Sequence, residues 1–206
     1  MAEEIRLVFH NQGLRSYIEV DLCRKCPRQD DKGCCGYYSP VFYLCDFAYM
    51  LKNRADLVDY VFSLPNLTVL DASVTINSAP DGASYRCQFH TSEKGCLLPQ
   101  QLRESVCRHF VCPGIAWEKE EGLKDWKLFF EQIGEYEINL NQRLADSFSS
   151  RGLSLRDFRQ RAEIFNELAA EFDELTGTAP DFFSTRPLRE EFVIYRELTF
   201  GQDWKL

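Results

Sequence analysis

The sequence predicts an α+β protein, mainly helical, in which a small irregular cysteine-rich metal module with short strands, residues 1–115, packs against C-terminal helices, residues 116–206. Three observations predict it. All nine cysteines lie between Cys23 and Cys112, so the composition breaks sharply along the chain. Two short N-terminal segments carry strand character. The C-terminal half repeats large apolar residues at three- and four-residue steps, the period of an amphipathic helix.

Taken in order, Ile5-Arg6-Leu7-Val8-Phe9 reads as a strand, and residues 16–22 as a second with Ile18, Val20 and Leu22 on one side, running straight into Cys23. Ser39-Pro40 supplies an N-cap and a first-turn proline for a helix from Val41 to about Leu51. A short helix over 54–63 ends before Pro65, and the β-branched run of residues 67–76 reads as strand. Residues 84–98 form an irregular hairpin bearing Cys87 and Cys96, and a helix of about ten residues opens at Pro99 and carries Cys107. Cys112-Pro113-Gly114 marks the junction. Beyond it, Trp126, Phe129, Phe130, Ile133, Tyr136, Leu140, Leu144 and Phe148 line one helix. Leu155, Phe158, Ala162, Phe165, Leu168, Ala169, Phe172 and Leu175 line another, after a capping box at Ser154 and Asp157. Gly152 and Gly177 end them. These aromatic stripes read as core.

A length of 206 residues, 45% of them hydrophobic, suffices for a real core. The formal net charge is −8, and residues 116–206 hold 12 Lys/Arg against 19 Asp/Glu. A surface of that sign repels phosphate backbones and anionic lipid, which argues against nucleic acid and membrane as partners. Met-Ala-Glu-Glu-Ile-Arg has no basic segment followed by an apolar run, and no stretch approaches 18 apolar residues. The expected compartment is cytoplasmic. Its reducing chemistry turns clustered cysteines toward metal ligation or catalysis instead of disulfides.

The first cysteine block is Cys23-Arg-Lys-Cys26, seven residues, then Cys34-Cys35. A C-x2-C step lets two thiolates converge on one ion, and Arg24, Lys25, Arg28 and Lys32 offset their charge. Gly33 and Gly36 flank the adjacent pair, as tight turning around a metal requires. Two neighbouring cysteines do not readily reach one zinc ion; one of them packs, or the two serve different metals. The second block is Cys87-x8-Cys96-x10-Cys107-x4-Cys112. Eight thiols make two four-thiolate sites, or one cluster with spare structural thiols. Cys45, between Phe42, Leu44, Phe47 and Met50, reads as core. His90 and His109 fall inside the second block but are not needed as ligands, and His10 carries no signal.

This order of residues, with Gly95-Cys96-Leu97 and the closing Cys107-Arg108-His109-Phe110-Val111-Cys112, resembles the YkgJ-type cysteine-cluster family, described as zinc- or iron-chelating domains with a C-x2-C-x2-C-C signature. The resemblance spans residues 23–112. It implies that Cys23, Cys26, Cys34, Cys35, Cys87, Cys96, Cys107 and Cys112 are ligands of an iron–sulfur cluster, of the [4Fe-4S] kind, or of Zn2+. Two departures stand out. The gap after Cys26 is seven residues instead of two, and the family's Arg-Pro before C-R-x-F is Arg103-Glu104 here. One member of similar build, the flagellin lysine N-methylase, carries an iron–sulfur cluster.

No phosphate-binding loop, dinucleotide fingerprint, H-E-x-x-H or G-x-S-x-G is present. Three readings follow. The first is a cluster or zinc protein with a redox- or metal-sensing or accessory role. The second is an iron–sulfur enzyme such as a protein lysine methylase or oxidoreductase, and the third a structural zinc module that docks a protein partner. Eight thiols favour closed coordination over the open position of a catalytic zinc.

Overall fold

In the computed structural model, residues 2–21, 33–36 and 38–197 are described. Strand β1 (Glu3–His10) is the centre of an antiparallel sheet, with β2 (Tyr17–Val20) on one side and β10 (Arg189–Arg196) on the other. Leu7 faces Val20 across one ladder, and Glu3 faces Arg196 across the other. The sheet thus joins the two ends of the chain. Ile5, Leu7 and Phe9 alternate onto its covered face and are fully buried, as period-two patterning requires.

A second sheet has the order β3 (Val41–Tyr43), β5 (Ser73–Ile76), β4 (Leu67–Val69). Helix α1 (Leu44–Arg54) follows β3 directly, and α2 (Asp56–Ser63) follows α1. The expected Ser39 cap is therefore not used. The Val41-Phe42-Tyr43 run pairs as strand against β5, and Asp46 accepts the Tyr43 backbone N–H at 2.9 Å to start the helix three residues later. Two hairpins come next, β6 (Ala79–Asp81) with β7 (Ser84–Arg86), and β8 (His90–Thr91) with β9 (Gly95–Cys96). The helix expected at Pro99 is a short 3-10 turn, Gln100–Leu102, and then a separate α3 (Ser105–His109).

Helix α4 (Lys124–Ser150) spans 27 residues, about 40 Å at 1.5 Å per residue. It serves two cores. Trp126, Phe129, Phe130 and Ile133 pack with Ile5, Leu7, Phe9 and Trp117 beneath the first sheet. Leu140, Leu144 and Phe148 pack with α1, α2 and the second sheet. Gly152 takes φ +73° just past the helix, and the Leu153 N–H bonds back to Phe148 O, which closes the C-terminus. Helix α5 (Arg161–Thr176) begins six residues later than the Ser154 signal suggests. Ser154 and Asp157 instead cap turns through the N–H groups of Arg156 and Arg159, so Phe158 is left 72% exposed while Ile164, Leu168 and Phe172 are buried.

At the seam of the two cores sits a buried ionic network. Arg108 is wholly buried and donates to both oxygens of Glu137 at 2.8 and 2.7 Å, and to the carbonyls of Leu14 and Ser16. Arg15 donates to Asp46 at 2.8 Å and stands 3.5 Å from Glu137. Two cations and two anions balance there, which keeps each charge paired in a low dielectric.

The expectation of a mainly helical α+β chain built on a small cysteine-rich metal module needs correction. The chain is mixed α/β, about half helix and a fifth strand, with several small antiparallel sheets. Among the described residues there is no cysteine-rich metal module. The reason is packing: the cysteines are dispersed over a turn, a hairpin and α3, and most of them are absorbed by one of the two apolar cores.

Candidate functional site

Six of the eight expected ligand positions lie among the described residues; Cys23 and Cys26 lie outside them, as do the cations at 24, 25, 28 and 32. The six are not one group. The backbone gathers four of them. Cys35 sits on the 3-10 turn Gly33–Gly36, and the Cys87 N–H donates to Cys35 O at 2.6 Å, so the turn lies against the segment after β7. The His90 N–H returns to Cys87 O at 2.9 Å, and His90 pairs with Cys96 across the β8–β9 ladder. Gly95, at φ +67°, makes the tight turn into β9.

Cys107 joins from α3 through Glu104. This carboxylate is 2% exposed and accepts the N–H groups of Val106 at 2.9 Å and Cys107 at 2.7 Å, capping the helix. The Cys107 thiol lies close enough to this carboxylate for it to raise the thiol's pKa. The Tyr38 hydroxyl approaches the same carboxylate at 3.5 Å, while the Tyr38 N–H bonds Cys34 O at 3.0 Å. Tyr38 therefore links the cysteine turn to α3.

The four thiols feel one another. Burial pushes Cys35 up to about 12, the neighbouring sulfurs of Cys87, Cys96 and Cys34 add to the rise, and Arg103 opposes it. Burial pushes Cys87 up to about 11, a backbone bond from Phe89 resists, and Cys96 and Glu104 add to the rise. Cys107 is raised further, first by burial and then by the Glu104 charge, with Cys35 and Cys87 contributing. Glu104 itself is raised by burial, against its hydrogen bonds. All three thiols are protonated near neutrality. A cation that replaces those protons relieves both burdens at once, since it supplies the missing charge partner.

The donor chemistry suits a soft ion: four cysteine sulfurs with a guanidinium beside them. Their spacing is looser than ligation. Zinc–sulfur bonds of about 2.3 Å set tetrahedral sulfurs about 3.8 Å apart, and no three His, Cys, Asp or Glu side chains among the described residues converge to metal-holding geometry.

Cys34 and Cys112 go elsewhere. Both pack on the core beneath the β10–β1–β2 sheet, with Cys112 buried beside Ile115 and Trp117. Cys45 is fully buried in the other core, its thiol raised by burial. His109 packs half-buried against Phe130 with Nε2 between Arg108 and Ser16 O, and desolvation, with Arg108 adding to it, holds its imidazole well below the usual range, hence neutral. His10 stacks on Tyr17 and meets Glu19 on the outer sheet.

Sequence reasoning missed Glu104, Arg103 and Tyr38. The signal was there in part: a carboxylate three residues before Cys107 is at N-cap position, although Glu is an uncommon cap. No helix among the described residues is long and apolar enough to cross a membrane. The chain matches no protein-family model, no curated protein and no solved structure.

Proposed function

We propose that the chain is a cysteine-cluster protein that holds an iron–sulfur cluster or a zinc ion on cysteine thiolates, in a redox- or metal-sensing or accessory role in the cytoplasm. What supports the reading is the neighbourhood of Cys35, Cys87, Cys96 and Cys107, in which the thiols of Cys35, Cys87 and Cys107 are raised, first by burial and then by neighbouring groups, a burden that a bound cation would relieve. Bound there, zinc would supply a cross-link between the turn, the hairpin and α3, and an iron–sulfur cluster would supply a one-electron centre as well. The chain's own groups do the rest. Arg103 would temper the negative charge of the thiolates, and Glu104 fixes α3 and with it Cys107.

Anaerobic purification followed by visible absorption, iron and sulfide assay and elemental zinc analysis tests it. A brown protein with iron and sulfide, or a colourless one with stoichiometric zinc, is the expected result, and the two separate the cofactors. A metal-free protein that takes up neither zinc nor a reconstituted cluster would sink the proposal.

A further inference from the structure

Strand β10 lies at the edge of its sheet, and among the described residues β1 alone pairs with its backbone. Which of its groups face outward follows from two bonds. The Asn11 N–H donates to Leu188 O at 3.0 Å, continuing the register in which Phe9 faces Glu190 and Leu7 faces Phe192. The Arg6 N–H points the other way, to Asp21 beyond β2. Bonding alternates along an antiparallel pair, so the even-numbered residues of β10 bond β1. Glu191, Val193 and Tyr195 therefore turn their N–H and C=O groups outward, and the Tyr195 carbonyl takes the guanidinium of Arg196 at 2.9 Å. The Val193 and Tyr195 side chains are exposed on the open face of the sheet. An open edge invites pairing, and charged residues commonly guard it. Charges stand at both ends of this strand.

Their order is self-complementary. Residues 189–197 read Arg-Glu-Glu-Phe-Val-Ile-Tyr-Arg-Glu. Turned end for end about Val193, this segment sets Arg189 against Glu197, Glu190 against Arg196, Glu191 against Tyr195, and Phe192 against Ile194. We infer that β10 pairs antiparallel with β10 of a second copy of this chain, about a two-fold axis at Val193, joining two three-stranded sheets into one. Outward groups must oppose outward groups, so only a register that sets odd-numbered residues against odd-numbered ones builds a ladder. Among those registers the charges choose. An axis at Ile194 sets Glu191 against Glu197, and an axis at Phe192 sets Glu190 against Ile194 and loses both ion pairs. The axis at Val193 makes each ion pair twice, because a two-fold contact uses the same patch on both copies. Opposite charges facing each other across strands attract, and like charges repel. Glu190 already accepts from Trp126, Arg196 donates to Glu120, and Arg189 donates to Glu191. These contacts hold the charged ends in place, and the second copy's charges extend them. Phe192, half-buried on the covered face, gains Ile194 of the second copy as a neighbour.

Sedimentation equilibrium of the full chain, purified under reducing conditions, tests this up to about 1 mM, because contact along one strand lies at the weak end of protein interfaces. The mass is expected to climb with concentration from 24.0 kDa toward twice that value. Val193→Pro removes an outward N–H and no bond to β1, so it is expected to abolish the association. Arg189→Glu and Glu197→Arg, both at exposed positions, each set like charges against one another twice. Each is expected to weaken self-association by about tenfold or more. Mixed in equal amounts, the two variants restore opposite charges at both places, so the mixture is expected to associate as the unaltered chain does. Circular dichroism checks the fold of every variant, and the charge-reversal pair decides the matter where the proline variant unfolds. A chain that stays at 24.0 kDa throughout overturns the inference. So does a dimer that the two reversals leave unchanged, and so does a mixture that associates no better than either variant alone.

Discussion

Replacing Arg108 by Met probes the ionic network directly. The guanidinium is fully buried, makes two bonds to Glu137 and two to the carbonyls of Leu14 and Ser16, and donates through Nε to Arg103 O at 3.1 Å. Methionine keeps most of the apolar stem, so no large cavity opens, and the main effect is electrostatic. Glu137, 3% exposed, would be left with Arg15 at 3.5 Å, which Asp46 already holds. Removing one partner of a buried pair costs about 3–5 kcal/mol. A chain of this size loses about 2–4 °C per kcal/mol, so the midpoint should fall by about 6–20 °C. The double variant Arg108→Met with Glu137→Leu removes one charge of each sign and leaves Arg15 paired with Asp46. It should therefore lose clearly less than the sum of the two single variants, because each single leaves an unbalanced buried charge. Urea and thermal unfolding of all four proteins measure this cycle. A single-variant loss under about 1 kcal/mol, or strict additivity, would refute the claim that these charges are energetically coupled.

Other consequences follow from individual residues. Glu104→Ala removes the α3 cap, the acceptor of the Val106 and Cys107 N–H groups, so it should cost about 1–2 kcal/mol and release α3 to faster amide exchange at Val106 and Cys107. Gly134 lies inside α4 with nothing within 4 Å of an added Cβ, so Gly134→Ala should raise stability by about 0.5–1 kcal/mol, and a lower midpoint would mean an unseen clash. The Glu191 carboxyl is held down to about 2, first by hydrogen bonds from Arg6 and then by one from Arg189. Its folded pKa lies below the unfolded value of about 4.3, so the stability it contributes is present above that value and disappears as pH falls toward 2. A carboxyl titration by NMR should place Glu191 near 2, and Glu191→Gln should flatten the acid limb of the stability curve. A Glu191 pKa above 4 would mean that the Arg6 contact is absent in solution.

How much of this was legible depended on the range of the forces involved. The stripe Trp126–Phe148 declared α4 because helical period is a local property, and nearly all of it is buried. Ile5, Leu7 and Phe9 declared β1 for the same reason. Strand β10 was overlooked, since Arg189–Arg196 has Glu190, Glu191 and three other charged or polar ends around a short apolar centre, and only pairing with β1, far away in sequence, makes it a strand. Phe158 was placed on a helix face that does not exist, because the Ser154 and Asp157 side chains satisfy turns as readily as helix starts. The cysteines could be counted and spaced from the sequence. Their division was not legible, because which core receives Cys34 and which receives Cys35 is decided by a turn lying between two cores assembled from distant segments.

That seam gives the site and the ionic network a common mechanical setting. Cys107 and Arg108 are consecutive: one faces the thiol group, the other is locked to Glu137 on α4. Leu14 and Ser16, which lead into β2, accept from the same Arg108. Three elements are therefore fixed to one another by a balanced set of buried charges, and the thiols are presented from their edges. Directional bonds to a rigid guanidinium constrain orientation in a way that apolar contacts alone do not. The buried ions are a poor source of net stability against a well-packed apolar alternative. Their better-supported use is to set the register of α3 against α4, and through it the position of Cys107 relative to Cys35 and Cys87. The placement of Cys107 thus depends on long-range contacts of its neighbour Arg108 with α4 and the segment before β2 more than on its own local sequence.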